Sequence, residues 1–530
     1  MDIIEKEKKK RTILYGLLVT VLVLIGVTYA YYRITKTQTN SNVIGTRTCL
    51  NTTLTEETSE IVLSDAFPIS DEDGLKQSPF TFTLTNNCDS YVKVTIALVS
   101  EYRTSTNTAY LKDNYVKSNL STKGTNDGSS VILSTLSLGE VDTNTQGYVL
   151  KTTGLKNKEA KSFDLRLWLD SETTNEQGLN KTWKGKIVVS VVAAEYVPTF
   201  AETILANNEV KAPITTPGAA ISTADEAEFA STEDDYGTSY YFRGAVTNNY
   251  VEFANKCWRI VRVSGDGSVK LILHNDNPTG AANPCDSANN SASAAFARYS
   301  ETTYTSAFNT NYNDNAYVGF KYGTVGASDY ATTHANTNNS TILTNLEAWY
   351  NNNLKTYESV IDDNVWCNDK TNVTDETYDP WNYTPNGLGY ANNVTFYGAT
   401  QRLVSSTSGS AGGTGLSLKC NGKLSKITSK IGLITADELA FAGYAAGTTA
   451  GTGNTTTYLQ ENATDTYWWS LSPGNFYGNS ARVWIVGGSS GVFGHRSVGN
   501  TSAVRPSISL KSTTNVTGNG TSSAPYIISM

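Results

Sequence analysis

Alternation of apolar and polar residues with a period of two is the feature that most constrains the fold of residues 33–197. Phe80, Phe82 and Leu84 alternate with threonines, and the pattern returns at 92–98, 163–169 and 183–191. This alternation places apolar side chains on one face of a β-strand. Short strands separated by Asn, Asp, Gly and Ser turns, with no long helical pattern, are typical of antiparallel sandwiches. We therefore predict an all-β sandwich, of jelly-roll or Ig-like type, over residues 33–197.

A second constraint is an uncharged stretch of 21 residues at positions 12–32. As a helix it would span roughly 30 Å, the thickness of a bilayer core. Residues 1–11 contain five Lys or Arg and three Asp or Glu, which favours a cytoplasmic N-terminus. The pattern predicts a cytoplasmic tail at 1–11, a transmembrane signal anchor at 12–32 that is the contact with the membrane, and an extracellular remainder. Cleavage after Ala30, as in a secretory signal peptide, is the alternative.

Charge disfavours a nucleic-acid partner. The chain has 41 Lys and Arg against 49 Asp and Glu, a formal net charge of -8. Proteins that bind nucleic acid by neutralising phosphates instead present a basic stripe. No nucleic-acid binding is expected.

The cysteine count is even in a chain predicted to be exported, which indicates disulfides. The positions suggest one pair in the first half and two in the second, although other pairings are possible. The expected pairs are Cys49–Cys88, Cys257–Cys285 and Cys367–Cys420. None of the six has the Cys-x-x-Cys spacing of redox or zinc sites, and no cofactor is expected.

Residues 198–235 contain three prolines and end in an acidic run, so they are predicted to be a linker with a short helix capped by Thr199 and Glu202. A second domain is predicted over 236–530. It should contain a hairpin of residues 257–263 and 268–274, joined by an Asp-Gly turn, and two helices, at 340–354 and 435–443.

The segments 26–32 and 80–87 resemble biofilm-fibre subunits of the TasA/camelysin type, over about residues 26–195. That resemblance implies a sandwich of a Gram-positive exported protein that donates or accepts a strand. Two roles are open for the first domain: a spacer that lifts the second domain off the membrane, which we favour, or a fibre subunit.

A longer series of motifs in residues 236–530 resembles an uncharacterised domain family of gut-bacterial surface proteins. That family is itself similar to the formylglycine-generating-enzyme branch of the C-type-lectin fold. The resemblance implies an α+β domain whose long loops often serve as binding surfaces. Its motifs are Tyr240–Gly244, Lys256–Ile260, Gly432–Glu438, Trp468–Gly474, Ala481–Val483 and Val504–Leu510.

The sequence offers few candidate residues for catalysis or metal binding. The formylglycine-generating enzyme works through a pair of cysteines near the end of its domain. No cysteine follows Cys420 in this chain. The chain has 3 histidines, too sparse for a metal site or a triad. Calcium binding at Asp71–Gly74 or Trp366–Asp369 is not expected, and the carboxylate pair Asp437 and Glu438 is explained better by a helix cap.

Aromatic, Arg and Asn residues are concentrated between positions 467 and 496. Such residues suit recognition surfaces, because large rings bury area at small entropic cost. Trp468 and Trp469 are assigned to the core. The remaining residues are predicted to bind a ligand: Asn475, Phe476, Tyr477, Arg482, Trp484, Phe493, His495 and Arg496.

We therefore expect a non-catalytic bacterial cell-surface binding protein that recognises a glycan, a peptide or another surface protein. A secreted fibre subunit and an extracellular enzyme are the alternatives.

Overall fold

A computed structural model describes residues 34–37, 52–56, 61–63, 66–140, 145–178, 180–221, 226–300, 302–447 and 457–529. The chain divides into two compact units, Met1–Val197 and Pro198–Met530. Each unit is described by itself.

The first unit is almost entirely β-structure. Its strands are β1 Ile34–Thr37, β2 Thr52–Glu56, β3 Ile61–Leu63, β4 Pro68–Ile69, β5 Phe80–Asn86, β6 Val92–Ser100, β7 Val116–Thr122, β8 Val131–Ile132, β9 Leu138–Glu140, β10 Gln146–Leu155, β11 Ala160–Asp170 and β12 Trp183–Ala193. Its short helices are α1 Asp71–Gly74 and α2 Asn175–Gly178.

These strands form two six-stranded sheets that share one core. The first has the order β1-β12-β6-β10-β9, with β3 paired to β12, and the second has the order β2-β5-β11-β7-β8, with β4 paired to β11. Inward residues of both sheets meet in one cluster, for example Phe82 of β5, Ile96 of β6 and Phe163 of β11. The period-two prediction of a β-sandwich is confirmed.

The connection between β5 and β6 differs from a simple hairpin turn, because these strands lie in different sheets. Asn86 fixes this crossing. Its Nδ2 donates to the carbonyl oxygens of Ser90, Leu155 and Lys156 at 2.8, 3.1 and 3.0 Å, and its Oδ1 accepts the Cys88 N–H. Alternation predicts strands but does not reveal which sheet each one joins.

The second unit mixes short strands and helices. Its strands are β13 Glu228–Asp234, β14 Gly237–Arg243, β15 Tyr250–Phe253, β16 Lys256–Val263, β17 Val269–Asn275, β18 Thr305–Ala307, β19 Lys321–Tyr322, β20 Asn338–Asn339, β21 Asn364–Cys367, β22 Thr395–Phe396, β23 Lys426–Ser429, β24 Trp468–Tyr477, β25 Ser480–Val486, β26 Phe493–Ser497, β27 Thr501–Ala503, β28 Ser507–Leu510, β29 Val516–Thr517 and β30 Tyr526–Ile528. Its helices are α3 Phe200–Asn207, α4 Tyr330–His334, α5 Thr341–Asn353, α6 Gly398–Leu403 and α7 Ala436–Ala442.

Two larger sheets organise this unit. An eight-stranded sheet has the order β13-β14-β16-β15-β30-β29, with β17 between β16 and β28. A six-stranded sheet has the order β18-β27-β24-β25-β26, with β22 paired to β24. One hydrophobic core joins them and includes Trp258, Trp349, Trp468 and Trp469, so the assignment of the last two to the core is confirmed.

Local signals in the sequence predicted several elements correctly. The predicted hairpin is β16–β17. Ser340 caps α5, Thr435 and Glu438 form a capping box at α7, and Gly443 ends α7 with a φ of 119°. Side chain to backbone caps satisfy the first N–H groups of a helix, which is why these boundaries are readable.

The described part of the predicted linker 198–235 is instead folded and belongs to the second unit. The capping box of Thr199 and Glu202 does begin a helix, α3, which packs into the core through Phe200 and Ile204. Strand β13 pairs with β14 along seven residues, Glu228 to Asp234. Pro198 lies just before α3, and Pro213 and Pro217 lie between α3 and β13, so the prolines here mark connections inside the domain.

Disulfides link Cys257 to Cys285 and Cys367 to Cys420, as predicted. Cys88 is disulfide-bonded, while its predicted partner Cys49 lies outside the described residues. The predicted anchor 12–32 also lies outside them. In the part of the chain that the structure describes, no helix has the length and apolar character needed to cross a membrane.

Candidate functional site

One face of the strands β24, β25 and β26 brings together most of the residues predicted to bind a ligand. Asn475 lies opposite Arg482, and Trp484 lies opposite His495. Directly opposed residues of antiparallel strands share a face, as do residues two apart on one strand. This face therefore presents Asn475, Tyr477, Arg482, Trp484, Phe493 and His495.

A long loop supplies two further rings to this face. Trp381 lies edge-on to His495, with ring centroids 5.2 Å apart, and His495 lies edge-on to Trp484 at 4.2 Å. The ring of Tyr383 stacks on Tyr477 at 3.6 Å. The result is a continuous row of rings, which we call the aromatic groove: Trp381, Tyr383, Tyr477, Trp484, Phe493 and His495.

Five rings of the aromatic groove, all except that of Tyr477, line a cavity of about 310 Å³. This volume lies at the lower end of the range for small-molecule sites. Its lining also includes Val404, Gly409, Ala446 and Arg482. The cavity is large enough for a small ring-shaped ligand to contact several of these side chains.

Two glycines allow the close approach of rings to backbone. A Cβ at Gly409, whose φ is +65°, would lie 2.4 Å from the indole Nε1 of Trp381, and a Cβ at Gly474 would lie 2.6 Å from Cδ2 of His495. Any larger residue at either position would displace a ring of the groove.

His495 is oriented by a chain of hydrogen bonds. The hydroxyl of Thr400 donates to the carbonyl oxygen of Gly474 at 2.8 Å and accepts from Nε2 of His495 at 3.3 Å. Nδ1 of His495 then accepts from the Asn475 amide at 3.1 Å. Burial, with a smaller effect from the positive charge of Arg482, lowers the pKa of His495 to about 3. The imidazole is therefore neutral at physiological pH.

Several polar atoms on this face have no hydrogen-bond partner in the described part of the chain. They are Asn475 Oδ1, Arg482 Nε and Trp484 Nε1, all buried. The guanidinium carbon of Arg482 lies 5.8 Å from the ring centroid of Tyr477. Arg482 and Trp484 line the cavity, and Asn475 lies opposite Arg482 on the same face. Most buried polar groups in proteins are hydrogen-bonded, so three unpaired ones on one face indicate room for a polar ligand.

Phe476 and Arg496 lie on the opposite face of these strands. Phe476 pairs with Ala481, and Arg496 pairs with Val483. Phe476 is in the hydrophobic core, and the Arg496 guanidinium lies over Tyr467, 4.6 Å from the ring centroid. The structure therefore does not bring these two predicted residues to the groove, because the grouping by sequence ignored the strand period.

A buried charged cluster is the second candidate site. It is formed by Asp234, Arg262, Lys270, Asp369, Arg402, Asp437 and Glu438, around a cavity of about 40 Å³. Such a volume accommodates little more than water.

The two adjacent carboxylates of this cluster are fully ion-paired. Asp437 accepts two hydrogen bonds from Arg402, both at 2.8 Å. Glu438 contacts Lys270 at 2.7 Å and Arg262 at 2.9 Å, and also caps α7. Burial alone would raise the pKa of Glu438, but Lys270 and Arg262 lower it to about 2. A carboxyl held in its ionised form by two cations is poorly suited to accept a proton at neutral pH.

A third cavity, of about 390 Å³, lies beside the end of α3. Its two aromatic residues, Phe229 and Phe242, are both buried in the hydrophobic core, whereas Trp381, Tyr383 and His495 of the aromatic groove are only partly buried. The aromatic groove is therefore the better candidate for a recognition site.

At both segments where calcium binding is not expected, the carboxylates are ion-paired. Glu72 and Asp73 pair with Lys76, and Asp369 pairs with Arg402 at 2.6 Å. Among the described residues there is no group of three His, Cys, Asp or Glu side chains placed to bind a metal ion.

Arg505, which precedes Pro506, is buried, and its side chain contacts residues of the hydrophobic core. It donates to the carbonyl oxygens of Leu273 and Leu459 and lies over the ring of Trp468. It connects three segments of the core.

Sequence reasoning missed Trp381, Tyr383 and Thr400. The two rings are more than eighty residues from β24 in the sequence. Three aromatic residues in the segment Tyr378-Asp-Pro-Trp-Asn-Tyr383, inside an otherwise Asn-rich loop, were the available signal.

Comparison with known proteins does not assign the chain to a family. No protein-family model matches the chain, and no curated protein matches it.

Proposed function

We propose that this protein is a bacterial cell-surface binding protein whose second unit recognises a glycan through the aromatic groove. The observation that supports this most is the row of rings beside three unpaired polar atoms. Four of the rings, those of Trp381, Tyr383, Tyr477 and His495, are only partly buried. Aromatic rings stack on the apolar faces of sugar rings, while amide and guanidinium groups satisfy hydroxyl groups.

The arrangement of charge favours binding over catalysis. The carboxylates of the charged cluster are ion-paired, and His495 is neutral and already engaged in hydrogen bonds. Catalytic acids and bases instead need a site open to the substrate and a pKa near the working pH.

The proposal includes the fold of the second unit and the location of the protein at the cell surface. The motifs of residues 236–530 resemble a domain family that is itself similar to the C-type-lectin fold, and this resemblance supports a domain of that type, in which loops would form the binding surface. The predicted anchor at 12–32 would place both units outside the cell, with the β-sandwich as a spacer rather than a fibre subunit. Protease treatment of intact cells tests the topology, and sedimentation of the ectodomain tests the spacer, since concentration-dependent filaments would favour a fibre.

A glycan array tests the proposed ligand class. The full chain should bind a limited set of glycans, and Trp381→Ala should lose that binding while keeping the folded signal in circular dichroism. Binding to peptides or proteins alone, or unchanged glycan binding by the variant, would overturn the proposal. Turnover of a surface polymer would instead favour the enzyme.

A further inference from the structure

We propose that the sugar bound in the aromatic groove bears a carboxylate, and that Arg482 binds this carboxylate. This inference rests on the proposed glycan-binding function and specifies its ligand class.

Arg482 is the only charged side chain among the described residues that line the cavity. No Asp or Glu lines it there, and within the described chain the side chain of Arg482 makes no ion pair or hydrogen bond, with its Nε buried. A guanidinium presents donors in a planar fork that matches a carboxylate. The unmatched positive charge is therefore complementary to an anionic group of the ligand.

The residues around Arg482 strengthen its preference for an anionic group. The neighbouring His495 is neutral, so it adds no second positive charge and does not repel Arg482. Tyr477 and Trp484 flank Arg482 on the same face and exclude part of the solvent, which weakens screening of its charge. Arg482 and the rings together provide one charged contact beside a stacking surface, as a single acidic sugar ring requires.

The net charge of the chain favours a ligand with few negative charges. The chain has a formal net charge of -8, which opposes the approach of a densely negatively charged polymer. One acidic sugar residue, at a chain end or between neutral sugars, suits the groove better than a highly sulfated polysaccharide.

The test uses the full chain and matched pairs of oligosaccharides. Short neutral oligosaccharides that carry a single galacturonate or glucuronate residue are titrated calorimetrically beside the same compounds with that carboxyl group methyl-esterified. We expect an acid to bind about 10- to 100-fold more tightly than its ester, the range for loss of a charge-assisted hydrogen-bond pair. Heparin serves as the densely charged comparison and should bind less well than the preferred acid.

Variants identify the group responsible. Arg482→Gln should abolish the difference between acid and ester, and Arg482→Lys should retain part of it. Arg496→Gln is the matched control, since Arg496 is on the neighbouring strand, over a tyrosine ring, but on the opposite face. Binding of the acid should weaken with added salt in the unmodified chain and become insensitive to salt in Arg482→Gln.

The outcomes separate this inference from the proposed function. Equal binding of acid and ester, or an unchanged preference in Arg482→Gln, overturns the acidic-sugar inference while leaving a glycan site intact. Absence of binding to any acidic oligosaccharide, together with binding to neutral glycans, also overturns it. Failure of all glycans to bind overturns both.

Discussion

The rings of Tyr383 and Tyr477 are parallel, with centroids 3.6 Å apart and an interplanar angle of 6°. Tyr383 belongs to a loop, and Tyr477 ends strand β24. The carboxylate of Asp379 accepts the backbone N–H groups of Tyr383 and Thr384 at 2.6 and 3.0 Å, which fixes the loop. This stacking connects the loop that carries Tyr383 to the end of strand β24 in the aromatic groove.

A double-mutant cycle should detect this stacking. Tyr383→Ala and Tyr477→Ala are expected to couple by about 0.5–1.5 kcal/mol in the free energy of unfolding, since stacked rings contribute that much beyond buried area. Denaturant unfolding of the two single variants and the double variant measures the coupling. Additive effects, within about 0.3 kcal/mol, would show that the rings do not interact in solution.

Glu438→Gln should destabilise the second unit by about 3–5 kcal/mol, because it leaves the buried ammonium of Lys270 without its carboxylate. The matched control is Glu358→Gln. It removes an exposed pair with Lys355, whose side chains are 58% and 40% exposed, and should change stability by less than about 1 kcal/mol. Chemical denaturation measures both, and similar effects would refute a special role for the buried cluster.

The same carboxylate predicts acid sensitivity. The pKa of Glu438 is about 2 in the folded chain against an ordinary value of 4.5. Its ionised form therefore stabilises the fold above about pH 4.5, and this contribution is lost as pH falls through that range towards 2. The stability difference between the unmodified chain and Glu438→Gln should shrink over this interval. A constant difference would contradict the ion pairing.

His334 predicts a further pH effect at milder acidity. Burial, then the nearby Lys370 ammonium, lowers the pKa of His334 from 6.5 to about 3. Between these values the unfolded chain binds one more proton than the folded chain, so stability falls as pH decreases, by up to about 1.4 kcal/mol per pH unit. His334→Gln should be less stable at pH 7 but have a shallower dependence between pH 6.5 and 4. Parallel stability curves would argue against a buried neutral imidazole.

Removal of the Cys367–Cys420 disulfide should lower stability. The bond closes a loop with a sequence separation of 53 residues, for which the chain-entropy model gives about 4 kcal/mol. The double variant Cys367→Ser with Cys420→Ser should unfold at lower denaturant concentration. Non-reducing peptide mapping of the unmodified chain checks this pair and the predicted Cys49–Cys88 pair, and a different pairing would require revision.

Sequence patterns predicted features that depend on neighbouring residues. Alternation gave the strands of the sandwich, and side-chain caps gave the starts of α3, α5 and α7. The site was only partly predictable. Arg482, Trp484 and His495 are close in sequence, whereas Trp381 and Thr400 reach them only through tertiary folding. The strand period, applied to residues 475–496, would have separated Phe476 and Arg496 from the rest.

Calorimetric titration of a glycan selected on the array is the most direct test of the aromatic groove. The comparison is between the unmodified chain, Tyr383→Ala and Tyr110→Ala. Tyr110 is a matched control because it stacks on Tyr102 in the first unit, with centroids 3.7 Å apart. We predict that Tyr383→Ala weakens binding at least about tenfold, a loss of roughly 1.4 kcal/mol, and that Tyr110→Ala binds normally. Unchanged affinity in a correctly folded Tyr383→Ala variant would contradict glycan recognition by this groove.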